Sequence, residues 1–174
     1  DACIEIASHP QVIFCTFGDA MRVPGKTGSL LDARSRGADV RVIYSPLDAL
    51  TLAELNPTRE VVLFGLGFET TMPATAVTLQ QARARDVTNF YLFCQHITLL
   101  PVLKSLLADP QSGIDAILAP GHVSMVIGTG GYEFIPDTFQ RPLVVAGFEP
   151  VDLLQGVLML IDQTIAGHSK VENQ

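Results

Sequence analysis

Charged side chains are scarce in this sequence, at 17% of 174 residues against roughly 25% in typical soluble domains. Basic ones are scarcest: 11 Lys and Arg stand against 18 Asp and Glu, for a net charge of −7 and a pI near 4.9. That balance argues against a nucleic-acid backbone as ligand. No apolar run approaches the ~18 residues that span a bilayer, so no membrane partner is expected. The opening, DACIEIASHP, has neither a basic region nor an initiating Met, so no signal peptide is expected, and it reads like a start inside a longer protein. Cys3, Cys15 and Cys94 are the only cysteines, far apart and without a CxxC pair. They make no disulfide framework or zinc site, no metal ligand set is expected, and a reducing, cytoplasmic setting is implied. Low-complexity tracts are absent, as are the GxSxG, Walker A, HExxH and EF-hand patterns.

Apolar residues are plentiful. At 48% of the chain and a mean hydropathy of +0.33, they imply much buried strand and surfaces normally covered by another domain or partner. The organising stretch runs from Val61 to Arg85. Val61, Val62, Leu63 and Phe64 form a continuous apolar run, as expected of a strand buried on both faces. Gly65 and Gly67 break the run, and Thr70, Thr71 and Pro73 supply helix-start signals. The helix that follows is apolar at Ala76, Val77, Leu79 and Ala82. Strand, glycine turn and helix make the unit of an open parallel sheet, in which ligands gather beyond the carboxyl ends of the strands.

The rest of the chain repeats this design. Strands are predicted at Val12–Cys15, Asp39–Tyr44, Asn89–Phe93, Ile114–Ala119 and Leu143–Ala146. The alternating Asp39–Tyr44 segment belongs nearer an edge. Ser29 with Asp32, and Ser45 with Pro46, open helices. A last helix spans Pro150 to Ala166, with an apolar stripe at Leu153, Leu154, Val157, Leu158, Ile161 and Ile165 closed by Gly167. The stretch up to Gln140 has no clear period, and the polar tail HSKVENQ is expected to fray. The fold class is therefore α/β: a mostly parallel sheet of about six strands with alternating helices. A division into two small Rossmann-like lobes, 1–85 and 86–174, is suggested by the fresh start at Ala84–Phe90.

Strand ends carry the candidate chemistry. Cys15, Asp19, Arg22, Glu69, His96, His122, Ser124 and Glu149 all belong to what should be one rim. Helix N-termini there favour anions. Of these, Cys15, Asp19, Arg22, Glu69, His122 and Glu149 are the catalytic candidates. Gly67, Thr70 and Thr71 in one turn, with Gly121 and Ser124 in another, are the cofactor-contacting candidates. Each has a plainer reading: an inert buried thiol for Cys15, a weak loop ion pair for Asp19 and Arg22, caps for Glu69 and Glu149, hydrogen-bonded core histidines for His96 and His122. Gly65–Thr70 also invites a nucleotide- or dinucleotide-binding enzyme. Its third glycine is replaced by Thr70, however, and a bare GxG is weak evidence.

Four longer motifs are more specific. CTFGDAMRVPG (15–25), GFETTMP (67–73), PGHVSMVIG (120–128) and GFEPVDLL (147–154) resemble, in this order, those of the HypD family of [NiFe]-hydrogenase maturation proteins. The resemblance covers the whole chain. It implies a cytoplasmic scaffold on which iron carrying cyanide and carbonyl ligands, Fe(CN)2CO, is assembled. HypC-like chaperone and HypE-like cyanide-donor proteins are the implied partners. The implied fold is two α/β lobes plus a part holding a [4Fe–4S] cluster. The family's iron-ligating cysteine and its GPGCPVC pair belong upstream of Asp1, and its cluster cysteines belong beyond Gln174. This chain is thus expected to be a central α/β portion that ligates neither group fully.

Overall fold

Val12, Ile13, Phe14, Cys15 and Thr16 are all buried, as a strand covered on both faces must be. In the computed structural model, which describes residues 1–174, these residues form β1 (Val12–Thr16). β2 (Val40–Val42), β3 (Glu60–Gly67) and β4 (Phe90–His96) complete a parallel sheet of order β2-β1-β3-β4. β2 lies at an edge, where its alternation placed it. The helices are α1 (Ala2–Ala7), α2 (Leu30–Ser35), α3 (Pro46–Leu55) and α4 (Met72–Ala84).

Alternate residues of β1 and β3 feed two cores. Ile13, Cys15, Val61 and Leu63 pack with Leu50 of α3 and Ala82 of α4; Phe14, Val62 and Phe64 pack with Ala7 of α1 and Leu30 of α2. Helices on both faces are what a parallel sheet needs. The predicted capping box of Ser29 and Asp32 starts α2, and the predicted pair Ser45 and Pro46 starts α3, where Asp48 completes a second box. One side-chain amide, that of Asn89, donates to the carbonyls of Ala53, Asn56 and Arg59 and ties the chain leaving α3 to the start of β4.

α4 corrects the expected apolar face. Thr75, Thr78 and Ala82 are its buried residues, while Ala76, Val77 and Leu79 are exposed. The hydroxyl of Thr78 donates to the Ala74 carbonyl at 2.8 Å, and that of Thr75 to the Thr71 carbonyl at 3.4 Å. With its hydroxyl satisfied inside the helix, a buried Thr packs as a β-branched apolar side chain.

A second sheet holds β5 (Ile117–Pro120), β6 (Leu143–Ala146) and β7 (Val171–Asn173), parallel and in the order β5-β6-β7. Its helices are α5 (Leu99–Ala108), α6 (Gly121–Ile127) and α7 (Pro150–Ala166). The stretch without a period contains a 3-10 turn at Gly130–Tyr132 and a π turn at Ile135–Phe139. The α/β class and parallel pairing agree with the sequence reading, and the seven strands, where about six were expected, form two sheets of four and three.

The added strand comes from the tail expected to fray. The side chain of Gln163, buried in α7, accepts from the Lys170 N–H at 2.9 Å and donates to the Glu172 carboxylate at 2.8 Å. Main-chain pairing with β6 then completes the strand, with Val171 its one apolar side chain, packed against the core of the second unit.

The chain groups into two units: Asp1–Gly67 with Thr71–His96, and Phe68–Thr70 with Ile97–Gln174. No helix is long and apolar enough to cross a membrane.

Candidate functional site

With two sheets there are two strand-end rims, and the residues expected on one rim divide between them. In the first unit Cys15 is fully buried in β1 among apolar side chains. Burial pushes its thiol up to about 12, so at neutral pH it is a protonated, solvent-free group. A thiol, unlike a thiolate, is a poor nucleophile and metal ligand. Asp19 and Arg22 are exposed and do not pair with one another. The Asp19 carboxylate instead accepts the Ala20 N–H at 2.9 Å and caps the 3-10 turn Ala20–Arg22.

The glycines of the central turn are filled from within the protein. A Cβ on Gly65 would lie 2.7 Å from Leu92 Cδ1 and 2.8 Å from His96 Cε1. Gly67 has φ +136°, and a Cβ there would collide with the side chain of Thr71. Leu92 and His96 of the neighbouring strand β4 thus pack against the bare Cα of Gly65. Burial holds the His96 imidazole below the ordinary histidine range. Two residues back on the same strand face, the exposed Cys94 places its sulfur 3.6 Å from His96 Nδ1. Sequence reasoning listed the two residues separately; the i, i+2 spacing within a strand was the signal that joins them.

The second unit contains the most unusual group. Glu69, only 8% exposed, accepts the N–H of Leu99 through Oε1 at 2.6 Å. Its carboxylate therefore sits at the N-terminus of α5, where negative charge is favoured. Thr98, at the N-cap position of this helix, makes no side-chain cap bond. The other oxygen, Oε2, is buried and has no hydrogen-bond partner. A buried carboxylate oxygen left unpaired is costly, so this atom marks a place where a donor belongs.

Beside this lies an internal polar pair. Ser124 is buried in α6, donates to the Pro120 carbonyl at 2.9 Å and lies 3.0 Å from the hydroxyl of the fully buried Tyr132. Burial raises the Tyr132 phenol; the Ser124 bond lowers it, and the charge of Glu69 raises it further. Sequence reasoning missed Tyr132 because it lies in the stretch without a period. Gly121 uses its missing side chain for packing: a Cβ there would come within 2.9 Å of the Ala146 carbonyl oxygen at the end of β6.

His122, at the start of α6, is exposed and its ring centroid lies 4.8 Å from that of Phe148. The PGHVSMVIG and GFEPVDLL motifs therefore meet. Glu149 precedes α7 and makes no side-chain cap bond, and Thr70 is exposed. So Ser124 and Tyr132 form a buried hydrogen-bonded pair that feels the charge of the buried Glu69, and His122 with Phe148 forms an exposed pair.

No three His, Cys, Asp or Glu side chains lie together in a way that would hold a metal ion. A [4Fe–4S] cluster takes four thiolates. The three thiols here lie on α1, β1 and β4, one of them buried and held protonated, and do not make that set.

From residue 1 to residue 174 the chain matches the family described as HypD, hydrogenase formation hypA family. It is 76% identical over its whole length to the hydrogenase maturation factor HypD of Escherichia coli K12, covering 47% of that protein. Identity is 59% to the HypD of Rhodobacter capsulatus, with 46% of that protein covered. It is 47%, over 180 positions, to the hydrogenase expression/formation protein HupD of Azotobacter chroococcum, with 48% covered. The chain spans about half the length of these relatives.

Proposed function

Since the chain belongs to the HypD family, we propose that it is the α/β portion of a scaffold that serves hydrogenase maturation. The cargo is an iron carrying cyanide and carbonyl ligands, Fe(CN)2CO, handled with a HypC-like chaperone and a HypE-like cyanide donor in the cytoplasm. The single observation that carries a chemical role for this portion is the orphaned Oε2 of Glu69. Assembly on such a cargo needs groups that accept and return protons while cyanide is delivered. Glu69 has one oxygen fixed by Leu99 and one open to a donor. Ser124 and Tyr132, both hydroxyl groups, line the same buried region. His122, exposed and in tilted contact with Phe148, is a second proton-handling group, open to a partner protein. Arg22, exposed in the first unit, offers a cation to cyanide nitrogen. The [4Fe–4S] cluster implied by the resemblance finds no ligand set in these residues.

Nothing observed favours the nucleotide-binding alternative. The room that Gly65 and Gly67 leave is taken up by Leu92, His96 and Thr71.

The test is Glu69→Gln and His122→Ala in the full-length protein, assayed by hydrogenase maturation in cells and, separately, by thermal unfolding. Loss of maturation with the folded protein retained is the expected result. Normal maturation, or failure that tracks unfolding alone, would overturn the proposal.

A further inference from the structure

α7 turns the wrong side to its own sheet. The residues it buries are Gly156, Leu160 and Gln163, with Gly156 so close that a Cβ would lie 2.7 Å from Leu118 Cδ1 and 3.1 Å from Ala146 Cβ. A row of its large aliphatic side chains faces solvent instead: Val151, Leu154, Leu158, Ile161 and Ile165 are between 47% and 80% exposed. Their spacing is 3, 4, 3, 4. That is a seam of a and d positions, the pattern by which one helix packs along another at a shallow angle, knobs into holes. A strand or an irregular loop offers no matching period.

The charges on α7 narrow the occupant. Its only ionisable residues are Asp152 and Asp162, and Glu149 immediately precedes it. A second copy would bring the same acidic helix and no cation, leaving like charges along the pair. Five large aliphatic residues in one exposed row are also more than a free surface ordinarily carries. A cover within the same polypeptide is always present, because its effective concentration does not depend on assembly. The relatives have room for one: these 174 residues are 47% of the E. coli protein.

We propose that in the full-length family protein the outer face of α7 is covered by an amphipathic helix of the same polypeptide, drawn from the part outside these 174 residues. That helix carries an apolar 3,4 stripe flanked by Lys or Arg. The proposal rests on family membership and the α7 face alone, and stands whether or not Glu69 has a chemical role.

The experiment places the photo-crosslinker benzoylphenylalanine at position 158, in place of Leu158, in the full-length protein. The site of the adduct is read by mass spectrometry across a wide range of protein concentration. Position 165 serves as a second site should the first variant misfold by circular dichroism, and position 44, where Tyr44 is 92% exposed, as the free-surface control. The expected product has monomer mass at every concentration, with the adduct in a helical, basic-flanked segment outside the matched residues. A dimer cross-linked α7 to α7, an adduct to another protein, an adduct in a non-helical segment, or labelling no greater than at position 44 would each overturn it.

Discussion

The Oε1 atom of Glu69 lies 2.6 Å from the backbone nitrogen of Leu99, thirty residues further along the chain. The carboxylate is thus a helix cap brought in from a distant turn, taking the place of the adjacent Thr98. One oxygen of this side chain caps a helix, and the other, Oε2, is buried without a partner and is the one the proposed function uses.

Replacing Glu69 by Ala therefore removes a cap as well as an acceptor. We expect a loss of about 0.5–2 kcal/mol, the usual range for a lost N-terminal cap, measured by urea unfolding. Glu69→Gln keeps an acceptor oxygen for Leu99 and should lose less. Equal stability of the Ala variant and the parent would show that Leu99 finds another partner at no cost.

Cys15 predicts an alkaline signature. Its thiol ordinarily titrates near 9 and is raised to about 12 in the folded protein. Between these values the unfolded chain has lost a proton that the folded chain keeps. The stabilisation is complete below pH 9 and falls by roughly 1.4 kcal/mol per pH unit as pH rises through that window. Unfolding titrations from pH 8 to 10 should show this slope in the parent and not in Cys15→Ala. The same slope in both would place its origin elsewhere.

Ser124 and Tyr132 should be coupled. Ser124→Ala leaves a buried phenol hydroxyl without its partner and should cost about 1–3 kcal/mol, whereas removing both hydroxyls leaves no orphan on either side. A double-mutant cycle with Tyr132→Phe should give a coupling of at least ~0.5 kcal/mol. Strict additivity of the two single changes would mean that the 3.0 Å contact contributes nothing.

Gly121→Ala tests packing at the turn after β5. The added methyl meets a backbone carbonyl oxygen, that of Ala146, and main chain gives way less readily than a side-chain end. A loss of about 1–3 kcal/mol, typical of overpacking, is expected, because a gain in helix propensity of at most ~1 kcal/mol at the first turn cannot offset it. Unchanged or increased thermal stability would show that α6 shifts freely off β6.

What was legible in the sequence was what local chemistry decides. The buried run of β3, the capping boxes at Ser29 and Ser45 and the span of α7 each follow from a few neighbouring residues. What was hidden depended on distant partners. Thr75 and Thr78 look polar until their hydroxyls are seen bonded within α4, so the apolar face was assigned to Val77 and Leu79. The stripe on α7 was read correctly as a stripe, but hydropathy does not say whether a stripe faces its own sheet or another helix. β7 was invisible because a single apolar residue, Val171, among six polar ones leaves too short a trace in HSKVENQ. In the site, the motif residues Glu69, His122 and Ser124 stood out by type and position. Tyr132 and the Cys94–His96 pair did not, since only the fold brings their partners near.

Gln163 sets an order of events. α7 is complete in sequence by Ala166, yet the amide buried beneath it has neither acceptor nor donor until Lys170 and Glu172 follow. An unpaired buried amide costs about 1–3 kcal/mol, so during synthesis the helix gains little by settling on β6 before the tail arrives. The seven-residue tail HSKVENQ, six of its side chains polar and Val171 packed on the core, therefore supplies both the last strand of the second sheet and the partners that Gln163 needs.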